Sequence, residues 1–330
     1  MNSFDYLIVD TVNLAYIVFN SPSGIQGMKE VSLMRNHKVY KHFMTSFIDT
    51  IDFLEKKFLT PEGEVIFLFD NYASREELKA MLKPLPHTSN RKNAFPTYKA
   101  SRKSARLEFY NSLDLLRFYY LRKESKYHTV RIPKLEADDL VKPCLEKIGD
   151  KRVLLVTNDS DWTKYLSDKV SYLPEWREEP LGPEDFNQRY GFYPTEDLVT
   201  LYKILYGDDA DNINSVFPEF EKDLKQYILT TYKSTSDFMF GSISDERLSP
   251  FSSMIKDREK EIRIAYQMIS SIPVGRIHLE RVFTSGKNAK YVIDEMNLSL
   301  YGEPEESVIQ KEEEFEFGRL DTPRRTPKEF

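Results

Sequence analysis

Three short apolar runs stand out in the first half of the chain: Tyr6 to Val9 (YLIV), Val65 to Phe69 (VIFLF) and Val153 to Thr157 (VLLVT). They are rich in β-branched and aromatic side chains and lack polar alternation, which predicts strands covered on both faces, as in a parallel sheet. Segments of helical period lie between them, notably Lys41 to Phe58 and Leu107 to Leu121. This alternation predicts an α/β fold with a central, mostly parallel sheet flanked by helices. From about Pro183 the pattern turns helical, over Pro183–Arg189, Pro194–Tyr206, Glu219–Tyr232 and Asp257–Ile269, with no strand among them. Ser234 to Ser253 is rich in Ser, Asp and Gly and predicts a long loop, while the Glu- and Pro-rich end from Glu303 has no core-forming pattern. The expected organisation is an α/β part over residues 1–182, a helical part over 183–300 and a flexible tail over 301–330.

Composition narrows the class. With 40% hydrophobic residues, 22 Phe and 20 Tyr, the chain is too apolar to be disordered. No run approaches the ~18 apolar residues that cross a bilayer, and Asp5 and Asp10 interrupt the amino-terminal apolar stretch, so a soluble, cytoplasmic protein without a membrane partner is expected. The single Cys144 excludes an internal disulfide and a cysteine-rich zinc site and reads as a small buried side chain. Any metal must then be held mainly by oxygen. The net charge of -6 hides a polarised chain: Arg75 to Arg106 holds nine Lys or Arg against two Glu, and Glu303 to Phe330 holds nine acidic residues against five basic. A partner meets one face rather than the average.

Each apolar run ends in an aspartate: Asp10 after YLIV, Asp70 after VIFLF, and Asp159 in TNDSD after VLLVT. Parallel strands bring their carboxyl ends to one edge, where open α/β sheets bind ligands. KLEADDL adds Glu136, Asp138 and Asp139, and a helix after Pro133 puts Glu136 and Asp139 on one face. Asp161 follows Asp159, and GDDADN supplies Asp208 and Asp211 where the helix from Pro194 ends, with Asp209 between them. Taken singly, each aspartate is more often a turn or helix cap than a ligand, and EADD is most often a solvated helix face. Together on one edge they repel, and a fold tolerates that only with protons or cations present. Magnesium suits hard oxygen donors and bridges carboxylates to phosphate. Two such ions ~4 Å apart clamp a phosphodiester for hydrolysis.

The basic segment RKNAFPTYKASRKSAR lies between Asp70 and Glu136, so it overhangs or borders the acidic edge. On a helix, Lys99, Arg102, Lys103 and Arg106 form one stripe suited to phosphates, with Arg91 and Lys92 upstream and Tyr98 and Phe95 available to stack on an unpaired base. Read alone, it is more readily a solvated basic helix; its place beside the acidic edge shifts the balance towards phosphate contact.

In order along the chain, Asp10, FD at 69–70, YKASR at 98–102, EADD at 136–139, NDSD at 158–161 and YGFYP...GDDADNI at 190–213 resemble the successive motifs of the 5′-nuclease superfamily. That superfamily comprises flap endonucleases, the 5′-to-3′ exonuclease domains of bacterial DNA polymerases, and phage replicative enzymes. The resemblance implies a PIN-like core with a helical arch over about 71–125 and two divalent ions, magnesium with manganese as substitute. Asp10, Asp70, Glu136, Asp138 and Asp139 would serve one ion, and Asp159, Asp161, Asp208 and Asp211 the other. It gives Lys99 and Arg102 roles at the scissile phosphate or in guiding a single-stranded 5′ end, with Tyr98 the aromatic beside them. Many relatives follow the last motif with a Gly-rich hairpin that grips duplex DNA, but here INSVFPEFEKDLKQY has no glycine. That departure resembles phage members of the T-even ribonuclease H type, which remove RNA primers and flaps and would work in the host cytoplasm.

The expected substrates are DNA with 5′ ends or flaps and RNA:DNA hybrids. The tail FEFGRLDTPRRTPKEF suits docking to a sliding clamp or single-strand-binding protein, or is simply solubilising. Two other readings share the pattern. One is a PIN-type ribonuclease, disfavoured by the long basic insertion and the late GDDADN. The other is a non-catalytic DNA-structure binding module, for which a crowd of anions near DNA has no use.

Overall fold

A computed structural model describes residues 3–20, 37–70, 95, 99, 109, 113, 116–117, 119–120, 126–131, 135–174 and 179–271. Among these, β1 (Phe4–Asp10), β2 (Leu59–Leu68), β3 (Tyr127–Val130), β4 (Val153–Val156) and β5 (Val170–Leu173) form one sheet in the order β3-β2-β1-β4-β5. Every pairing is parallel. In register, Val9 faces Phe67 on one side and Val156 on the other. The strands therefore end level, and the chain segments that leave them share one edge.

The doubly covered sheet expected from unbroken apolar runs is what forms. Side chains alternate along each strand. Ile8, Ile66, Val130 and Leu155 enter the core on one face, while Leu7, Val9, Phe67 and Val156 enter it on the other. The first face is covered by α3 (Ala137–Ile148) and by helices after residue 182: α4 (Pro183–Tyr190), α5 (Glu196–Tyr206), α6 (Lys222–Thr231), α7 (Thr235–Gly241), α8 (Ser252–Asp257) and α9 (Glu259–Ile269). The second is covered by α1 (Thr11–Asn20), α2 (His37–Phe58) and the stretch around Phe109–Tyr120. There, Phe109, Leu113, Leu116 and Tyr120 are buried at helical spacing, and each described position is helical. Cys144 is fully buried, and burial pushes its thiol up to about 12.

The fold departs from the sequence expectations in four places. β3 and β5 were not expected, because four-residue runs such as YHTV and VSYL mix polar and apolar residues and are recognisable only beside their partners. β2 begins at Leu59, ahead of Pro61 and Gly63; an irregular register between Phe4 and Tyr6 absorbs these breakers. The loop expected over Ser234–Ser253 contains α7 and the start of α8. Ser234 and Asp237 act there as caps, with Asp237 N–H donating to Ser234 at 3.0 Å and Phe238 fully buried. Glu136 does not lie on a helix face: it is the N-cap of α3, with extended backbone (φ -92, ψ 162). No helix among the described residues is long and apolar enough to cross a membrane.

Candidate metal centre

Asp10 ends β1 and is buried, its Oδ1 accepting the Asn13 N–H at 3.0 Å and its Oδ2 the Thr157 hydroxyl at 2.9 Å. Burial, then Asp70, Asp138 and Asp159, holds it well above the usual carboxylate range. Asp70, two residues past β2, accepts the Ala137 N–H at the first turn of α3 at 2.8 Å. It is pushed up to about 6 by burial, then Glu136 and Asp138, against a lowering pull from Lys99. Asp138, also buried, accepts the Trp162 indole N–H at 2.7 Å. Asp139 is fully buried and accepts the Glu136 N–H at 3.1 Å, closing a capping box that fixes the start of α3.

A second group forms where the segment after β4 meets the end of α5. One oxygen from each of Asp161, Asp208 and Asp211 lies within 4.8 Å of the others. Asp159 joins the two groups electrostatically. It is pushed up to about 7 by burial, then Asp138, with Lys99 and Lys203 pulling down and Asp211 pushing up. The loop carrying Asp208 and Asp211 is held by the antiparallel pair Asp208–Ile213 and by left-handed Asn212 (φ 59), while Asp209 is exposed.

Two lysines are set among these anions. Lys99 Nζ lies 2.8 Å from Glu136 and 3.9 Å from Asp138, and its backbone N–H donates to the Asp211 carbonyl at 3.0 Å. Lys99 has φ 52, so it occupies a turn rather than the helical stripe expected of it. Phe95, offered by the sequence as a base-stacking ring, packs against the core. Lys203 is buried in α5, ion-paired to Asp161 and 2.6 Å from Asp208. Burial works against ionisation of Asp208, but Lys203 outweighs it and holds that carboxyl below its ordinary range.

This set fits divalent cations. The donors are hard oxygens, they converge, and burial, followed by the neighbouring carboxylates, raises the affinities of Asp10, Asp70 and Asp159 for protons, a cost that a bound cation would offset.

The sequence profile described as "5'-3' exonuclease, N-terminal resolvase-like domain" matches residues 5–191, more than half of the chain. The chain belongs to this 5′-3′ exonuclease family. The 5′-3′ exonuclease of Buchnera aphidicola is 25% identical over 234 residues, 61% of this chain and 79% of the relative. The flap endonuclease of Escherichia phage T5 is 27% identical over 186 residues, 53% of this chain and 58% of the relative. The fold is also that of the bacteriophage T5 D15 flap endonuclease, solved in a pseudo-enzyme–product complex with DNA and metal ions. That superposition has a TM-score of 0.53 and 18% identity, covering 93% of this chain and 95% of the other.

Of the site residues read from the sequence of this exonuclease-family chain, Asp10, Asp70, Glu136, Asp138, Asp159, Asp161, Asp208, Asp211 and Lys99 meet at one sheet edge through the contacts above. Arg91, Lys92, Tyr98, Arg102, Lys103 and Arg106 lie outside the described residues. Lys203, Thr157 and Trp162 were missed. For Lys203 a signal existed, since a lone lysine interrupts VTLYKILY on a helix that otherwise supplies core.

Proposed function

We propose that the chain is a divalent-metal-dependent 5′ nuclease that hydrolyses phosphodiesters of DNA at or near 5′ ends. It acts as a 5′-3′ exonuclease, a flap endonuclease or both, and takes RNA:DNA hybrids as further substrates in primer removal. Magnesium is the assigned metal and manganese a substitute. The observation that carries this reading is the convergence of the Asp161–Asp208–Asp211 triad with Asp159 and the Asp10, Asp70, Glu136 and Asp138 carboxylates beneath Lys99.

Asp10, Asp70, Glu136 and Asp138 are assigned to one cation and Asp159, Asp161, Asp208 and Asp211 to the other; Asp139, expected from the sequence as a further ligand, is instead assigned to fixing the start of the helix that presents Glu136 and Asp138, because its carboxylate accepts the Glu136 N–H. Two divalent ions, when bound, stabilise charge on the attacking and leaving oxygens of an in-line displacement. The protein's own groups do the positioning. Thr157 and Trp162 hold the Asp10 and Asp138 carboxylates in fixed orientation. Lys99 keeps a positive charge over the acidic edge, where a phosphate displaces its contact with Glu136. Arg102, Tyr98 and the other basic residues of the insertion are assigned to guiding the 5′ strand. The tail over 301–330 is assigned to docking a sliding clamp or single-strand-binding protein, on its mixed acidic, basic and apolar composition.

The test incubates 5′-labelled flap, nicked duplex and RNA:DNA hybrid with magnesium, manganese or chelator. Cleavage is expected only with metal, and Asp208→Asn should lower the rate at least about 100-fold while substrate binding survives. Cleavage at full rate in chelator, or by Asp208→Asn, overturns the reading.

A further inference from the structure

The 3₁₀ turn Ser160–Tyr165 follows β4 and carries Asp161, one of the three converging carboxylates of the second group. Side chains three apart eclipse on such a turn, so Trp162 and Tyr165 project from one side of it. Both reach the same residue. The Trp162 indole N–H donates to the Asp138 carboxylate at 2.7 Å, and the Tyr165 hydroxyl donates to the Asp138 carbonyl at 3.4 Å. Asp138 belongs to the first group, on the opening turn of α3. A single turn thus carries a carboxylate of one group and grips a residue of the other at both its side chain and its main chain.

The bond to the carbonyl is long, and a phenol that could swing freely would hold little at that distance. Ser271 removes that freedom. Its hydroxyl lies 2.6 Å from the Tyr165 hydroxyl, while the Tyr165 ring packs against the core. Burial raises the proton affinity of the phenol, which keeps it protonated and able to donate. Ser271 is itself well placed. It stands two residues past α9, whose Ile262, Ala265, Met268 and Ile269 are buried in the same core as α3 and α5.

A second tie runs beside the first. Lys142, one turn beyond Asp138 on α3, pairs at 2.7 Å with Glu196, which opens α5, the helix that ends at the Asp208 loop. Burial works against ionisation of Glu196, but Lys142 and then Lys164 outweigh it and hold the carboxyl below its ordinary range. Lys142 and Glu196 are both open to solvent in part, and ion pairs of that kind add little. The hydroxyl pair of Tyr165 and Ser271, backed by the core, is therefore the firmer of the two ties.

Spacing is what such a tie controls. Two cations clamp a phosphodiester when they stand ~4 Å apart. A misplacement of about 1 Å, caused outside the chemistry itself, costs on the order of 100-fold in rate. We propose that Tyr165 and Ser271 are positioning residues for the two-cation reaction: braced by Ser271, Tyr165 fixes Asp138 relative to Asp161 and so sets the separation of the two ions. This rests on the nuclease reading above and names residues outside the carboxylate set on which its metal geometry depends.

The test measures manganese binding to the full chain by titration calorimetry, kcat and KM on a 5′ flap with magnesium, and the thermal midpoint in chelator. Wild type is compared with Tyr165→Phe, Ser271→Ala, Ser271→Thr and the double variant Tyr165→Phe/Ser271→Ala. Tyr165→Phe keeps the ring and loses the hydroxyl. It is expected to weaken manganese binding about tenfold and to lower kcat about tenfold, with KM within about twofold of wild type. Ser271→Ala should move both quantities in the same direction, and Ser271→Thr should restore them. The double variant should be no worse than Tyr165→Phe, because both changes remove one interaction. Wild-type kcat and manganese affinity in Tyr165→Phe overturn the inference even if the midpoint falls, since a lower midpoint alone marks a structural contact. Additive losses in the double variant overturn the brace as well. Should Tyr165→Phe not fold, Ser271→Ala is judged by the same two quantities. If wild type binds manganese and cuts flaps while the variants match it, only the brace fails. If wild type neither binds manganese nor cuts, the nuclease reading fails with it.

Discussion

Lys203 Nζ and Asp208 Oδ2 lie 2.6 Å apart at the end of α5, and the same ammonium is ion-paired to Asp161. One buried cation thus answers two of the three carboxylates that converge there. Lys203→Met leaves those carboxylates facing one another, a change that costs about 3 kcal/mol or more when a buried pair loses one partner. In chelator the variant's thermal midpoint is expected to fall. Magnesium should then raise it by more than it raises the wild type, because the ion supplies the missing charge. Equal metal-induced shifts in the two proteins would remove Lys203 from the electrostatics of the site.

The pH response follows from Asp70, pushed up to about 6, and Asp159, pushed up to about 7, mainly by burial and then by neighbouring carboxylates. In the unfolded chain both ionise near ~3.9. Between those values the folded protein binds more protons than the unfolded one, so these groups make metal-free stability fall as pH rises from about 4 to about 7. Bound divalent cations favour the ionised carboxylates and oppose the trend. Melting scans in chelator should give a higher midpoint near pH 5.5 than near pH 8, with the gap reduced by magnesium. A metal-free midpoint that rises across that interval contradicts the electrostatic account.

Thr157 donates its hydroxyl hydrogen to Asp10 at 2.9 Å and accepts the Asp159 N–H at 3.0 Å, so one side chain fixes the Asp10 carboxylate and the backbone that carries Asp159. Thr157→Val keeps the shape and strands both partners, at a cost of about 1–3 kcal/mol. Cleavage of a 5′ flap is expected to slow by about tenfold or more through kcat rather than KM, and Thr157→Ser should recover most of it. A Val variant with wild-type kcat would show that this alignment is immaterial.

Gly207 precedes Asp208 with φ +84, and a Cβ there would lie 2.8 Å from the Ser215 nitrogen and 2.9 Å from the Ile213 oxygen. Both contacts are backbone, so the loop has to move. Gly207→Ala should cost about 1–3 kcal/mol and displace Asp208, which reduces the stabilisation by magnesium. Full metal-induced stabilisation in this variant would mean the loop tolerates the shift without losing its ligand geometry.

Much of the site was legible before folding because its carboxylates follow strand ends, and a parallel sheet has a single carboxyl edge. Asp10, Asp70 and Asp159 needed no more than that. Asp138 and Asp139 were harder to separate. They are neighbours on the first turn of α3, yet Asp138 accepts the Trp162 indole N–H while Asp139 caps its own helix. Which carboxylate faces inward depends on where the helix begins, and Glu136 as N-cap, rather than a helical residue, decides it. The loop expected over Ser234–Ser253 failed for a related reason: Ser and Asp serve turns and helix caps alike, and only the burial of Phe238 distinguishes the two.

Hydrophobic period and residue order alone determined the sheet's character, its helical cover and the convergence of acidic residues on one edge, because those features depend on local geometry repeated along the chain. The tertiary structure alone decided that Lys203 is set between Asp161 and Asp208 and that Thr157 joins Asp10 to Asp159. Those relationships join residues distant in sequence or carried on different elements, and electrostatic energy depends on separation and burial in space, neither of which spacing along a chain specifies.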